Sequence, residues 1–410
     1  MPASQKPQVR AVFCDHRATD EEVYSALKRA TDPLTRAWAK LEKAERITIK
    51  FNQCIEPNKL VRFHGNFQEL VDPKVARALL RLLRERTHAE IICTDVSSRA
   101  HSSGLKVEDT LSLLPVLREF DVPFINGNEP PLKTYPVPGG GLMFRQYLLS
   151  PAAVETDAFI SVQKMKNHAF MGITLCLKNL FGLPPTEPHG RSRRYFHHLV
   201  RLPYVIADLG QIVQPTLSVI DALVGQAGRE WGGEGRICNT LIAGDQVVAT
   251  DACGTYLMGH DPLADWPQPP FLRDRNALLV AHESGFGTAD LSAIDFQSEV
   301  EPPVASFFTY EIDPQETIAA WLRSTCEQAL YYRDNREKFI EKYAGEYILL
   351  QDYEVVWHDR FSEFHQSRRD LAGPRKKSAL WFKLVDPEEA EGEHFEVYER
   401  TLALLKEKGF

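Results

Sequence analysis

Apolar residues fall in short runs separated by amphipathic stretches along the first third of the chain. Residues 9–14, 46–51, 90–94 and 122–125 are apolar, rich in β-branched and aromatic side chains, and read as strands. Between them, Asp20 caps a helix expected to reach about Leu41, with a break at Asp32-Pro33. Asp72-Pro73 opens a second helix, whose apolar positions Val75, Ala78, Leu79, Leu82 and Leu83 repeat at the helical period. Residues 107–120 are expected to form a third. Strands separated by helices predict a mostly parallel sheet with helices on its faces.

The run Pro136-Val137-Pro138-Gly139-Gly140-Gly141 breaks this pattern and reads as a linker or a flap. Strands then resume at 159–162, 217–221 and 240–244, followed by a helix over 247–258 that Gly259 stops. The last section changes character. Helices near 314–330 and 336–343, strands over 346–350 and 354–357, a helix near 362–371 and a strand near 379–385 predict a small α+β module. The expected organisation is an N-terminal α/β region over 1–135, a central α/β region over 142–310 and the appended module over 331–390. The fold class is α/β, with mostly parallel sheets flanked by helices and a small C-terminal α+β module.

Composition narrows the function classes. Of the 410 residues 43% are hydrophobic and 25% charged, enough for a sizeable core. The net charge of -8 disfavours a nucleic-acid partner. No apolar run has the length of a membrane span, and residues 1–10 lack the apolar core of a signal peptide, so a cytoplasmic protein is expected. Seven scattered cysteines form no C-x-x-C pair, and no iron–sulfur cluster is expected.

Candidate chemistry concentrates between Lys164 and His198. Lys164, Lys166 and His168 follow the strand at 159–162, where side chains at the carboxyl end of a parallel strand reach a ligand. If residues 174–180 are helical, Thr174 and Lys178 share a face at i, i+4 spacing, and apolar neighbours desolvate the lysine. Desolvation lowers a lysine's pKa and makes it a nucleophile or an attachment point. Arg191, Arg193 and Arg194 offer forked contacts to a carboxylate or phosphate. His189, His197 and His198 offer a metal ligand or a general base. His197-His198 begins a helix expected to run through Leu209, on which adjacent residues point to different faces. Polar loops after the earlier strands add Lys50, Asn52, Asp95 and Ser97 as pocket walls. The glycine-rich stretch 225–235 reads as a phosphate cradle or as a mobile flap with Trp231 as its lid. The competing reading of each residue is ordinary: solvated surface lysines, turn-forming Asn and Asp, and an Asp251 that stabilises a helix.

The segment Ser161-Val162-Gln163-Lys164-Met165-Lys166-Asn167-His168, followed by Gly172 through Lys178-Asn179-Leu180-Phe181-Gly182, resembles the signature of domain-of-unknown-function family 362. Stretches around Asp208, 217–221 and 242–262 fit as well, so that the resemblance covers roughly residues 45 to 300. That family name assigns no reaction. A more distant resemblance does: His168, Gly172, Thr174 and Lys178 follow the H-x-x-x-G-x-[ST]-x-x-x-K pattern of lactate racemase-like nickel-pincer proteins. It implies His168 as catalytic acid/base, Lys178 as covalent anchor of a nickel-pincer nucleotide, and a nickel ligand at His197 or His198. Cys176-Leu177 stand where the racemase segment has a glycine pair. The reading carried forward is an enzyme on an anionic small molecule. Hydroxy acid racemase- or epimerase-like chemistry is its sharpest form, and a non-catalytic anion-binding protein is its alternative. His168 and Lys178 are the catalytic candidates. Lys164, Lys166, Thr174, Arg191, Arg194, Lys50 and Asn52 are the substrate-binding ones.

Overall fold

The computed structural model describes residues 6–97, 104–311, 313–363, 368–375 and 379–410. Its first elements follow the periodicity of the sequence. β1 (Gln8–Phe13) leads into α1 (Asp20–Thr31), whose cap is Thr19 and not Asp20: Thr19 and Glu22 form a reciprocal box that satisfies the first free N–H groups. Asp32-Pro33 ends α1, and α2 (Thr35–Leu41) follows as a separate helix. After β2 (Arg46–Phe51), Asp72 accepts the Lys74 N–H and caps α3 (Pro73–Arg86), with Pro73 in the first turn, where no donor is needed. The five apolar positions of α3 are all buried, each fully buried leucine contributing roughly 1.5–3 kcal/mol.

One nine-stranded sheet organises the molecule. Its remaining strands are β3 (Glu90–Asp95), β4 (Phe124–Asn126), β5 (Ala158–His168), β6 (Gly172–Thr174), β7 (Leu217–Ala227), β8 (Glu234–Gly244) and β9 (Asp295–Ser298). They lie in the order β9-β1-β8-β7-β5-β2-β3-β4, with β6 beside β5. The block β7-β5-β2-β3-β4 is parallel, while β8 runs antiparallel to both β7 and β1. Strands on both sides of the 136–141 break therefore share one sheet. The side chains of β1 alternate between two apolar layers: Val12 packs with α1, α2 and α3, and Ala11 packs on the other face. That second layer holds α5 (Arg201–Val213), α6 (Val247–Leu257) and α7 (Ala277–Glu283), and it continues into the C-terminal module.

The module consists of α8 (Gln315–Asp334), a short helix Arg336–Tyr343, a three-stranded antiparallel sheet and α9 (Glu396–Glu407). The sheet places β10 (Tyr347–Gln351) between β11 (Glu354–Asp359) and β12 (Trp381–Leu384). α9 lies beyond the expected limit of 390 and packs along α8. Buried charges join the module to the body. Arg201 at the start of α5 pairs with Glu393 at 2.7 Å and donates to the Phe382 carbonyl at 2.5 Å. Among the described residues, no helix is long and apolar enough to cross a membrane.

Three expectations change. Residues 107–120 form only a 3-10 turn and the short helix Leu114–Glu119. The helix expected from His197 starts at Arg201, because Val200 adopts a left-handed backbone (φ 71°) that no α-helix accommodates. The helix over 362–371 is described only as Arg368–Ala372, its first residues lying outside the described segments.

Candidate active site

Parallel strands β2, β3 and β5 end side by side, with Lys50 in register with Ser161 and Phe51 with Val162. Their carboxyl ends carry Lys50, Asn52, Asp95 and Gln163 into a cleft of about 440 Å³. This is where ligands sit in open α/β sheets. Strand β5 then runs past its parallel neighbours and brings Lys166 and His168 to the same cleft.

β6 folds back on that extension. Gly172 pairs with His168 and Thr174 with Lys166 in antiparallel register. Gly172 has φ +74°, and a Cβ there would stand 2.8 Å from the Pro270 carbonyl oxygen, so glycine is required twice over. Thr174 is thus on a strand, not on the helix expected over 174–180. Helix α4 (Cys176–Asn179) is a single turn. Thr174 and Lys178 nevertheless both face the cleft, one from each element.

Asp251 on α6 fixes α4. Its buried carboxylate accepts the N–H groups of Cys176 at 2.9 Å and Leu177 at 2.7 Å, the free donors of the first helical turn. Burial pushes this carboxyl up to about 8, against those two hydrogen bonds. Asp251 stabilises a helix as the sequence suggested, but another helix than its own.

Lys178 is half-buried at the cleft, with its ammonium 4.5 Å from the centre of the Phe181 ring. Among the described residues, no carboxylate lies within ion-pair distance of it. Burial lowers its pKa to about 7, helped by the charge of Arg193 and, less, by Lys166 and Lys50, while Glu230 opposes. The other lysines have partners. Lys50 pairs with Asp95 at 2.8 Å and donates to Asn179 Oδ1 at 3.1 Å. Gly182 makes room for that pair, since a Cβ there would lie 2.7 Å from Lys50 Nζ. Lys166 donates to the Glu69 carbonyl at 2.6 Å and lies against the Trp231 ring.

His168 is buried, and burial together with the charges of Lys178 and Lys166 holds its pKa well below the usual histidine value. Its Nδ1 accepts from the N–H groups of Phe170 at 3.0 Å and Met171 at 3.2 Å. A nitrogen that accepts two hydrogen bonds carries no proton, so the neutral ring is protonated on Nε2. His168 is therefore a hydrogen-bond donor to anything its Nε2 faces, rather than a ready base.

The opposite wall comes from the β7–β8 hairpin. Both strands run further than expected, and the glycine-rich stretch is reduced to a tip over residues 228–233. That tip lays Glu230 and Trp231 on the cleft; Glu230 accepts the Ala169 N–H at 3.0 Å. Arg193 completes the lining. Glu230, Cys54, Glu56, Phe181 and Asn179 also line it and were not singled out in the sequence. Cys54, Glu56 and Glu230 reach the cleft from loops and a hairpin tip, and Asn179 and Phe181 from the end of α4 and the 3-10 turn after it, an approach set by tertiary structure.

Several expected site residues stand elsewhere. Lys164 lies in register with Asp221 on β7 and pairs with it at 2.8 Å, both side chains fully buried. Arg191 is ion-paired with Glu391 of the C-terminal module, and Arg194 is exposed and away from the cleft lining. Ser97 hydrogen-bonds Thr110 instead of lining the cleft, and the neighbouring Ser98 and Arg99 lie outside the described residues. His197 stacks on His168 with ring centres 5.8 Å apart and packs against Phe170 and Phe181. Both ring nitrogens of His198 face backbone carbonyls, those of Leu199 and Leu380, and the ring does not line the cleft. Among the described residues, no three His, Cys, Asp or Glu side chains converge to hold a metal ion.

The profile of the family described as "Domain of unknown function (DUF362)" matches residues 49–256, just over half of the chain. The chain belongs to this family. The matched span of this DUF362 protein runs from β2 through α6 and contains the cleft-forming strands, α4 and the hairpin. A thylakoid-associated protein of Synechocystis is 24% identical over 244 residues, 58% of this chain and 70% of that protein. The lactate racemase apoprotein of Thermoanaerobacterium thermosaccharolyticum superposes with a TM-score of 0.35 at 11% identity, over 61% of the DUF362 chain and 56% of the racemase chain.

Proposed function

We propose that this DUF362 protein is an isomerase-type enzyme acting on a small organic anion, moving a proton at the carbon beside the anion's carboxylate or carbonyl group. One observation carries this reading: Lys178 stands in the cleft among other cations, without a carboxylate partner among the described residues, with its pKa lowered to about 7. A lysine pKa lowered toward neutrality makes the free amine accessible at neutral pH, and the neighbouring charges attract an anion.

The chemistry follows from positions already described. Arg193 and Lys166 contact the anionic group. The Lys178 amine takes the proton from carbon, and the electron pair moves onto the substrate oxygen as an enolate. The Nε2–H of His168 donates to that oxygen, the role of a neutral imidazole rather than of a base. The planar enolate turns in the cleft, and return of the proton from the Lys178 ammonium to its other face gives the epimer and regenerates the amine. Thr174 Oγ1 and Asn52 Oδ1 line the cleft and have no hydrogen-bond partner among the described residues, which suits a substrate hydroxyl and hence a hydroxy acid.

The test is solvent deuterium exchange. The protein is incubated in D2O with small hydroxy and oxo acids, and loss of the α-proton signal is followed by NMR. Exchange that disappears in Lys178→Arg is expected, since arginine keeps the charge but is not a base at neutral pH. Binding of these acids without exchange of any of them overturns the enzymatic reading in favour of an anion-binding protein.

A further inference from the structure

The segment between α4 and α5 contributes Arg193 to the cleft wall and backs His168 with the ring of His197, and it has little regular structure of its own. What holds it is the C-terminal module. Ser362 donates its N–H to Glu187 at 2.7 Å and its hydroxyl to the same carboxylate, while its oxygen accepts the Ser192 N–H at 2.6 Å. Glu391 takes both Arg191, as an ion pair, and the hydroxyl of Tyr195. His198 is tied to the Leu380 carbonyl at 2.8 Å. These fastenings flank the site residues along the chain: Ser192 and Tyr195 bracket Arg193, which lines the cleft, and Tyr195 and His198 bracket His197, which stacks on His168. The contact residues are buried or half-buried, and Tyr195 also packs on Tyr347 and Phe382 of the module's sheet.

We infer that the C-terminal module is a clamp for the site, with Ser362 and Glu391 as positioning residues that hold Arg193 against the Lys178 side of the cleft. The inference needs the cleft and not the reaction proposed for it. A module that merely added stability would have no reason to grip the chain on both sides of Arg193. Its body contact through Arg201, Glu393 and the shared apolar layer would suffice.

The test reads Lys178 directly. The full-length protein is acylated with dilute acetic anhydride across a pH series, and modification of Lys178 is quantified by peptide mass spectrometry. Arg193→Ala serves as the reference and is expected to raise the half-labelling pH by about one unit, or ~10-fold lower reactivity at pH 7. Ser362→Ala and Glu391→Gln are expected to shift it in the same direction. Adding Ser362→Ala to Arg193→Ala is expected to produce no further shift, because the two act through one side chain. If Glu391→Gln does not fold, Ser362→Ala, which removes one hydroxyl, carries the test alone. A lowered melting temperature with the Lys178 half-point unmoved would make the module purely structural and overturn the inference. So would an Arg193→Ala variant that leaves Lys178 unchanged.

Discussion

The carboxylate of Asp251 lies 2.7 Å from the backbone nitrogen of Leu177, the residue before Lys178. A one-turn helix has too few internal hydrogen bonds to hold itself. Its orientation, and that of the lysine it carries, is borrowed from α6. Replacing Asp251 by alanine leaves two buried N–H groups without acceptors and is expected to cost ~2–4 kcal/mol in chemical denaturation. Asp251→Asn keeps an acceptor and should lose less. Because the carboxyl pKa is raised in the folded chain to about 8, the folded state binds the extra proton between the ordinary value and 8. Wild-type stability therefore falls with rising pH across that window, and the asparagine variant should gain on wild type from pH 4 to pH 8.

Lys178 has the opposite sign. Its pKa is lowered, so between about 7 and the ordinary 10.5 the unfolded chain binds the extra proton. The cost of burying the ammonium is fully present below pH 7 and fades as the pH rises toward 10.5. Lys178→Met is expected to be more stable than wild type by a few kcal/mol at pH 6, roughly, with the difference shrinking above pH 8. Parallel denaturation curves of the two proteins at several pH values check this.

His168 should remain neutral, with its proton on Nε2, throughout pH 6 to 8. Nitrogen-15 NMR of the labelled ring distinguishes the two tautomers and the imidazolium. In the exchange assay His168→Gln, which retains an N–H donor, is expected to keep more activity than His168→Ala.

Gly182→Ala places a methyl group 2.7 Å from Lys50 Nζ and 2.9 Å from Asp95 Oδ1. Both belong to a buried ion pair with little room to move. The substitution is expected to cost ~1–3 kcal/mol and to displace Lys50 from the cleft. The melting temperature of the single variant measures the loss.

The sheet was legible because its strands and the helices between them carry their own periodicity. The α3 stripe from Val75 to Leu83 and the Asp72 cap are local signals, and both appear where expected. The cleft was legible in part, since Lys50, Asn52, Asp95, Lys166, His168, Thr174 and Lys178 all reach it. What failed depended on distant partners. Lys164 looks like Lys166 in sequence, and only the neighbouring strand, which sets Asp221 opposite it, sends it into the core. Thr174 reads as helical until β6 is seen to fold back on β5. Arg191 and Arg193 are two residues apart, yet one is claimed by Glu391 and the other by the cleft. No local pattern records the position of Glu391, 200 residues downstream.

The central claim is that Lys178 presents a near-neutral amine to an anion-binding cleft. Competitive acylation of Lys178 across pH 5 to 11, with and without inorganic phosphate, tests it most directly. The predicted result is half-labelling near pH 7 without phosphate, moving upward when the anion is bound, because a nearby negative charge favours the ammonium. Half-labelling in the ordinary lysine range, unmoved by phosphate, would contradict the account.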